Sequence, residues 1–240
     1  MIEFLKHIDN AMQELAIVSD IHGNLDALNA IMKHLCKKSI YCLGDLIGYG
    51  ANPNEVVEWF RENNVKCVMG NHEYAVVTGD ASWFNPDAQR AVFWTRSNLK
   101  RENFDFIKKL PEKIELKVNT IRILFVHGSP NDPIFEYVLP DTHEGLFDYY
   151  LSNNNVNVIG LGHTHIPFLY KSDKGIIFNP GSIGQPRSRD PRACYAILTI
   201  DNGNVKVEHK LVEYDIESAA NKIVKAGLPR FLAQRLYIGI

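Results

Sequence analysis

Five apolar segments of the chain each end in a short polar stretch, and this repeated arrangement limits the available folds more than any other feature. The first segment, residues 15–19, is followed by Asp20, His22 and Asn24. Apolar runs of this length, bounded by glycine and polar residues, are typical of buried strands. The other four runs end at residues 43, 69, 126 and 161, and they are followed by G-D, G-N-H-E, H-G-S and G-H-T-H. Ligands of open α/β sheets lie at the carboxyl ends of strands, so these stretches mark a candidate site.

Helical segments alternate with the first three strands, which predicts a parallel sheet with right-handed crossovers. Apolar residues recur at helical spacing over residues 24–38, and Pro53 occupies the first turn of a second helix. After a helical region that starts at Asn85, strand patterns return at residues 113–118, 121–126, 156–161, 168–171, 176–178, 194–200 and 205–212. We therefore predict an α/β fold, a four-layer αββα sandwich in which two mixed β-sheets lie face to face with helices on both outer sides.

The sequence contains no internal repeat and no linker long enough to mark a domain boundary. We expect residues 1–240 to form a single domain, with helices over about residues 215–240 as a C-terminal appendage. Residues 2–12 are predicted to form a short amphipathic helix ahead of the first strand.

The overall composition is that of an ordinary globular protein, with 45% hydrophobic and 22% charged residues. A net charge of −2 argues against a general electrostatic surface for nucleic acid or acidic membranes. No apolar run approaches the ~18–20 residues of a membrane helix, and the N-terminal residues lack a signal-peptide pattern. We expect a cytoplasmic protein without a membrane partner, and the sequence makes no prediction of its oligomeric state.

The four cysteines, Cys36, Cys42, Cys67 and Cys194, form no C-x-x-C pair and show no zinc-like spacing. Apolar or strand-like surroundings favour reduced, buried thiols for them. We assign them no chemistry.

The polar residues at the five strand ends have the chemistry of metal ligands. Carboxylate, amide and imidazole donors without cysteine suit divalent ions such as Mn²⁺, Fe²⁺, Co²⁺, Ni²⁺ or Zn²⁺. The donors outnumber what one ion with open positions can use, which points to two ions that share one carboxylate. Two such ions can clamp both the attacking and the leaving oxygen of a phosphoryl transfer. The set comprises Asp20, His22, Asp45, Asn71, His72, His127, His163 and His165.

The order D-x-H, G-D, G-N-H, H-G and G-H-x-H resembles that of the calcineurin-like metallophosphoesterase superfamily, over residues 15 to about 200. Residues 179–187 (NPGSIGQPR) and 190–193 (DPRA) are similar to a bacterial and archaeal subgroup of predicted phosphodiesterases. The tail residues 227–229 (GLP) and 232–236 (LAQRL) resemble the same subgroup.

This resemblance implies a role for each member of the set. The first metal would be bound by Asp20, His22 and His165. The second would be bound by Asn71, His127 and His163. Asp45 would bridge the two ions. His72 would not bind metal. It would protonate the leaving oxygen or stabilise charge on the phosphoryl group, and Asn24 would contact a phosphate oxygen.

The implied reaction is hydrolysis of a phosphoester by in-line attack of a hydroxide that bridges the two ions, with His72 assisting the leaving group. Mn²⁺ is the expected metal, and Fe, Co, Ni and Zn are the alternatives. The predicted substrate contacts are Asn24, Asn71, His72 and Arg187.

Two departures from the superfamily's protein serine/threonine phosphatases bear on the substrate. Tyr49 and Met69 stand where those enzymes have arginines that clamp a phosphomonoester dianion. Their absence favours a phosphodiester, although Arg187, Arg189 and Arg192 offer replacement cations from a different loop. The alternatives are a phosphomonoesterase or protein phosphatase, a dinucleoside-polyphosphate hydrolase, and a non-catalytic binding scaffold of the same fold.

Four aromatic residues, Trp83, Phe84, Phe93 and Trp94, cluster around the middle helical region. We expect them to pack in a helical core, and stacking on the base of a nucleotide substrate is the alternative. Tyr49 and Tyr137 are placed at the rim of the site.

Overall fold

The computed structural model describes residues 3–4, 12–35 and 38–240, and within them two β-sheets lie face to face. The strands are β1 (Glu3–Phe4), β2 (Gln13–Val18), β3 (Ser39–Cys42), β4 (Lys66–Cys67), β5 (Lys113–Val118), β6 (Ile121–Val126), β7 (Val158–Gly160), β8 (Phe168–Lys171), β9 (Ile176–Asn179), β10 (Ala193–Asp201) and β11 (Asn204–Val212). The helices are α1 (Leu25–Met32), α2 (Pro53–Glu62), α3 (Asn71–Thr78), α4 (Pro86–Asn98), α5 (Arg101–Ile107), α6 (Glu144–Asn154), α7 (Ile216–Lys225) and α8 (Arg230–Gln234), and a 3₁₀ turn follows at Arg235–Tyr237.

Both sheets are mixed. The first has the order β1-β5-β6-β7-β9-β8, in which β6, β7 and β9 are parallel, β5 is antiparallel to β6 and parallel to β1, and β8 is antiparallel to β9. The second has the order β11-β10-β2-β3-β4, in which β2, β3 and β4 are parallel and β10 is antiparallel to β2. Each sheet therefore has a parallel part whose carboxyl ends can carry a site.

The alternation of side chains along the strands produces the layers. In β2, Leu15 and Ile17 join the core between the two sheets, whereas Ala16 and Val18 face the helices. Successive side chains of a strand point to opposite faces, so one strand supplies both cores. On the outside of the first sheet, Phe147 and Leu151 of α6 pack against strand residues. The predicted α/β sandwich with helices on both outer sides is confirmed.

Two predictions about local structure were wrong. Residues 3–4 form a strand and not part of a helix, because their backbone pairs in parallel with β5, a contact that local sequence patterns do not reveal. Residues 5–11 of that predicted helix lie outside the described residues. Helix α3 was missed because it begins inside the polar stretch after β4, where the sequence suggested only a loop.

The cysteine prediction is confirmed where the structure describes it. Cys42, Cys67 and Cys194 are buried free thiols, and Cys36 lies outside the described residues. Among the described residues, no helix combines the length and apolar character needed to cross a membrane.

The C-terminal helices contact both the first helix and the middle helical region. Lys222 of α7 places its Nζ 2.7 Å from Asp26 Oδ2 on α1, and the Ser218 hydroxyl donates to Asp26 Oδ1 at 3.1 Å. Leu232 and Leu236 belong to a buried cluster that includes Tyr49. The assignment of the whole chain to one domain with a C-terminal appendage stays a prediction.

The core between the sheets gives a test of the fold. Phe178 of β9 is completely buried, whereas Phe93 of α4 is 49% exposed. Phe178→Ala should lower the free energy of unfolding by about 3–5 kcal/mol, since it removes a large side chain from a packed interior. Phe93→Ala, the matched control, should change it by no more than ~0.5 kcal/mol. Urea denaturation measures both, and equal losses would contradict this packing.

Candidate metal centre

The predicted ligand residues converge where the carboxyl ends of both sheets meet. Asp20 and His22 follow β2, Asp45 follows β3, and Asn71 begins α3 after β4. His127 follows β6 in the other sheet, and His163 and His165 follow β7. None of the seven is more than 5% exposed. The two sheets thus bring metal-donor side chains together at one buried point, although Asp20 and His165 lie far apart in the sequence.

Distances within the set show two groups joined by one carboxylate. In the first group, His165 Nε2 lies 3.2 Å from Asp20 Oδ1 and 3.2 Å from His22 Nε2. In the second, His127 Nε2 lies 3.0 Å from Asn71 Oδ1. Asp45 Oδ2 lies between the groups, 3.6 Å from His22 Nε2 and 3.4 Å from His127 Nε2. The carboxylate predicted to bridge therefore occupies the position between the two groups.

Backbone carbonyls fix which nitrogen of each imidazole carries its proton. The Nδ1 atoms of His22, His127 and His165 lie 2.9, 2.7 and 2.6 Å from the carbonyl oxygens of Ile47, Leu43 and Gln185. A carbonyl oxygen only accepts, so each Nδ1 must donate, and each neutral ring presents a lone pair at Nε2. The Nε2 atoms of His22 and His165 face each other at 3.2 Å, and that of His127 faces Asp45 Oδ2 at 3.4 Å. A hydrogen bond at the other ring nitrogen orients a histidine for metal binding in this way.

The carboxylate of Asp20 gives an independent sign that a cation belongs here. Both of its oxygens are buried and have no hydrogen-bond partner among the described residues. A buried ionised carboxylate without a partner is strongly unfavourable, whereas a bound metal ion supplies the missing positive charge. The charge and the donor atoms of these buried residues therefore suit the binding of divalent metal ions.

His163 is oriented differently from the other histidines. Its Nε2 lies 3.2 Å from the carbonyl oxygen of Phe135 and donates to it. This leaves Nδ1 to face inward, and His163 forms a potential metal-binding group with Asp45 and His127.

Ionisation within the centre follows from burial and from neighbouring charge. Burial, reinforced by the charge of His127, lowers the pKa of His163 to about 3, which keeps it in the neutral form that binds metals. Burial opposes ionisation of Asp45, but the surrounding histidines hold its pKa well below the usual range. Burial likewise works against a charge on His127, yet Asp45 raises the pKa of His127 to about 9. A cation, whether proton or metal ion, is thus favoured at His127 Nε2.

Most of the predicted ligands have strained backbones. Positive φ angles of 48–68° occur at five of the seven, namely Asp20, His22, Asp45, His163 and His165. Such left-handed conformations are uncommon for residues other than glycine, and their clustering is a mark of functional sites. Gly70 shows how closely the loops approach, because a Cβ at this position would lie 2.1 Å from Asp45 Oδ1.

His72 lies beside both groups. Its backbone N–H donates to Asp45 Oδ1 at 2.9 Å, and its ring centroid lies 4.8 Å from that of His22. Its buried Nδ1 has no hydrogen-bond partner among the described residues. Since His22, Asp45 and His72 also form a potential metal-binding group, the exclusion of His72 from the ligands stays a prediction.

Glu73 is the residue that the sequence interpretation overlooked. It is completely buried, and its carboxylate accepts from the backbone N–H groups of Asp45 and Gly70, both at 2.9 Å, and of Ile47 at 3.2 Å. Burial, followed by the charge of Asp45, raises the pKa of Glu73 to about 7. The signal was present, because a glutamate three residues after the Gly70 N-cap is a capping-box pattern. Glu73 fixes the loop that carries Asp45 against the start of α3.

The residues predicted to contact substrate differ in the hydrogen bonds and ion pairs that they already make within the protein. The Asn24 side chain caps α1 by accepting from Ala27 N at 3.1 Å and donates to Gly184 O at 3.0 Å, so its phosphate contact stays a prediction. Arg187 faces the centre and has no acidic partner within 4.0 Å among the described residues. Arg192 instead pairs with Asp190 at 2.6 Å. Arg187 lines the cavity beside Asn71 and His163, and its contact with substrate stays a prediction.

The aromatic residues divide into two groups. Core packing was the wrong expectation for Trp83 and Phe93, which are 43% and 49% exposed, whereas Trp94 packs beside the C-terminal helices. Tyr49 is buried and not at a rim, with its ring centroid 4.4 Å from that of His72. Tyr137 is 57% exposed and stacks on His163 at 3.8 Å.

Comparison with known proteins identifies the family. The family model of the calcineurin-like phosphoesterase superfamily domain matches residues 13–203. The chain belongs to the calcineurin-like phosphoesterase superfamily. Members of this superfamily typically bind divalent metals, in agreement with the donor groups described above.

Relatives of this phosphoesterase-family protein extend over nearly its whole length. An uncharacterized protein of Methanocaldococcus jannaschii is 40% identical over 245 residues, which cover 94% of this chain and 98% of the other. The crystal structure of a metallophosphoesterase from Sphaerobacter thermophilus has a TM-score of 0.81 at 33% identity, covering 96% of this chain and 100% of that one. A hypothetical protein from Pyrococcus horikoshii shares the fold, with a TM-score of 0.86 at 24% identity over 95% and 98% of the two chains.

The contacts of Glu73 predict what its loss would do. Glu73→Ala should lower both the metal content and the free energy of unfolding, the latter by at least about 3 kcal/mol, because three buried N–H groups lose their acceptor. Glu73→Gln, which keeps one acceptor oxygen, should lower the metal content and the free energy of unfolding by intermediate amounts. Metal analysis and urea denaturation measure these effects. Glu62→Ala, at an exposed position of α2, is the control. Normal metal content and stability in Glu73→Ala would refute the positioning role.

Proposed function

We propose that this protein hydrolyses phosphoester bonds with two divalent metal ions and that phosphodiesters are its preferred substrates. The observation that carries the proposal is the pair of buried donor groups joined by the Asp45 carboxylate. Asp20, His22 and His165 would hold the first ion, and Asn71, His127 and His163 would hold the second. Mn²⁺ is the expected metal, with Fe, Co, Ni and Zn as alternatives.

Bound divalent ions supply Lewis-acid chemistry, in that they lower the pKa of a water and offset negative charge on a phosphoryl group. The protein's part is to hold donors and substrate in position. Asp45 stays ionised between the two groups, and Glu73 fixes the loop that carries it. His72, with its buried Nδ1 unpaired, would meet the leaving oxygen or the charge that develops on the phosphoryl oxygens.

The preference for diesters is supported by the absence of a phosphatase-type arginine clamp. Tyr49 and Met69 replace the arginines with which related protein phosphatases clamp a dianion. A diester carries a single negative charge and does not need that clamp. The runner-up is hydrolysis of phosphomonoesters or of dinucleoside polyphosphates. Within the substrate class, a nucleotide is favoured by the aromatic side chains beside the centre.

The complete donor set argues against a non-catalytic scaffold of the same fold. Every predicted ligand is present and buried, and His72 lies beside them. A scaffold would have no need for buried carboxylates and strained ligand backbones. The cytoplasmic location expected from the sequence stays a prediction.

Substrate preference can be measured directly. The Mn²⁺-loaded protein should hydrolyse bis(p-nitrophenyl) phosphate with a kcat/KM about tenfold or more above that for p-nitrophenyl phosphate, since Tyr49 and Met69 replace the arginines that would clamp a dianion. Absorbance of released p-nitrophenolate measures both rates. A strong preference for the monoester would overturn the diester assignment while leaving the hydrolase in place.

Removal of a predicted metal ligand should distinguish a metal-dependent enzyme from a non-catalytic scaffold. Asp45→Ala and His127→Ala should abolish metal loading and hydrolysis together, because each removes a donor from a group without spare ligands. Metal analysis and the diester assay are the measurements. Asp173→Ala and His34→Ala, at exposed positions, are the controls. Normal hydrolysis by well-folded Asp45→Ala protein would disprove the assignment.

His72 should behave differently from the ligands. His72→Ala should keep its metal content but lose about 10²–10⁴-fold in kcat, the range for a group that assists proton transfer. Metal analysis and the diester assay measure the two effects, with His34→Ala as the matched control. Loss of metal from His72→Ala would make His72 a ligand.

A further inference from the structure

A cavity of about 820 Å³ opens beside the metal centre. Asn71 and His163 line it, so it leads directly to two of the predicted ligands. Its volume lies within the range of roughly 300–1,000 Å³ found for small-molecule sites. The cavity is therefore large enough for a substrate group attached to the reacting phosphate.

One side of the cavity is a continuous aromatic wall. Trp83 lies 5.8 Å from Phe84 and 5.2 Å from Phe135, measured between ring centroids, and Phe84 lies 4.6 Å from His72. Trp83 is nevertheless 43% exposed, so part of the largest ring in the wall has no protein neighbour. A planar aromatic group such as a nucleobase can stack on this surface.

Two arginines line the same cavity. Arg187 comes from the loop after β9, and Arg235 comes from the 3₁₀ turn at the end of the C-terminal helices. Arg187 donates through Nη2 to Gln185 Oε1 at 2.9 Å, and Arg235 donates through Nε to the main-chain oxygen of Ile240. Burial, together with the nearby charge of Arg187, lowers the pKa of Arg235 to about 10. The remaining N–H groups of these two neighbouring guanidinium groups can donate to a phosphate.

We propose that this cavity binds the nucleotide part of the substrate, with the base against Trp83, Phe84 and Phe135 and a phosphate directed toward Arg187 and Arg235. The substrate class within the proposed function, on which this inference rests, is thus a nucleotide ester. Arg235 becomes a specificity residue that the C-terminal helices contribute to the site. An aliphatic anion would use the arginines but would gain little from stacking.

Binding can be tested without turnover. Isothermal titration calorimetry of the full chain with its metal ions bound would use adenosine, AMP and decyl phosphate, none of which is a phosphodiester. Trp83→Ala should raise the Kd of adenosine and of AMP by about tenfold, as expected for loss of one stacking ring. Trp83→Phe should restore most of the affinity. Arg235→Gln should raise the Kd of AMP by about tenfold and that of adenosine by less than about twofold, because only AMP carries a phosphate.

Matched controls separate these effects from general damage. Phe93→Ala and Arg230→Gln remove an exposed aromatic ring and an exposed arginine from α4 and α8, and both should bind AMP as the unaltered protein does. The inference is overturned if Trp83→Ala and Arg235→Gln bind AMP normally. It is also overturned if the unaltered protein binds decyl phosphate more tightly than AMP.

A hydrolysis measurement distinguishes this inference from the proposed function. The unaltered protein should prefer thymidine 5′-(p-nitrophenyl phosphate) over methyl p-nitrophenyl phosphate by about tenfold in kcat/KM, and Trp83→Ala should reduce that ratio toward one. Equal hydrolysis of both esters by the unaltered protein would overturn the nucleotide site while supporting the phosphodiesterase. Hydrolysis of neither would contradict the phosphodiesterase, and the binding measurement would still decide the nucleotide site.

Discussion

The structure depends on a buried convergence of lone pairs around Asp45. Three imidazoles are held by backbone carbonyls so that the Nε2 atoms of His22 and His165 face each other and the Nε2 atom of His127 faces the Asp45 carboxylate. Such an arrangement is repulsive without a cation, because acceptors face acceptors in a region removed from water. The neighbouring features, from the unpaired oxygens of Asp20 to the depressed pKa of Asp45, follow from this constraint.

Two sheets are needed to build such a centre. The loops after β2 and β3 belong to one sheet and the loops after β6 and β7 belong to the other, and hydrogen bonds join the neighbouring loops within each sheet. Within the second sheet's loops, Asp20 N–H donates to Gly44 O at 3.0 Å, and in the first sheet's loops Gly162 N–H donates to His127 O at 2.9 Å. The inner hydrophobic core therefore sets the distance between the two donor groups, since it fixes how the sheets face each other.

Local pattern was enough to predict the strands that carry the ligands and the residue types at their ends. Strands β5 and β6 were predicted with the bounds they have, because a short turn separates a segment of alternating charged and apolar residues from a mainly apolar one. What could not be predicted depends on long-range contact. The role of Glu73 arises from N–H groups up to 28 residues away, and the exposure of Trp83 depends on how the loop before α4 lies over the site. Arg235 looked like part of an appendage because nothing near it in sequence points to the cavity.

The left-handed backbones of the predicted ligands connect metal supply with the durability of the protein. A strained loop persists only while its surroundings over-determine it, and in the proposed function a bound cation would complete those surroundings. An ion that binds the folded chain but not the unfolded one adds stability by mass action, in proportion to the logarithm of its concentration. Metal scarcity would then act first on this edge of the sandwich, where the loops would open before the two hydrophobic cores separate. Occupancy of the centre would thus set how long the molecule survives as well as how fast it works.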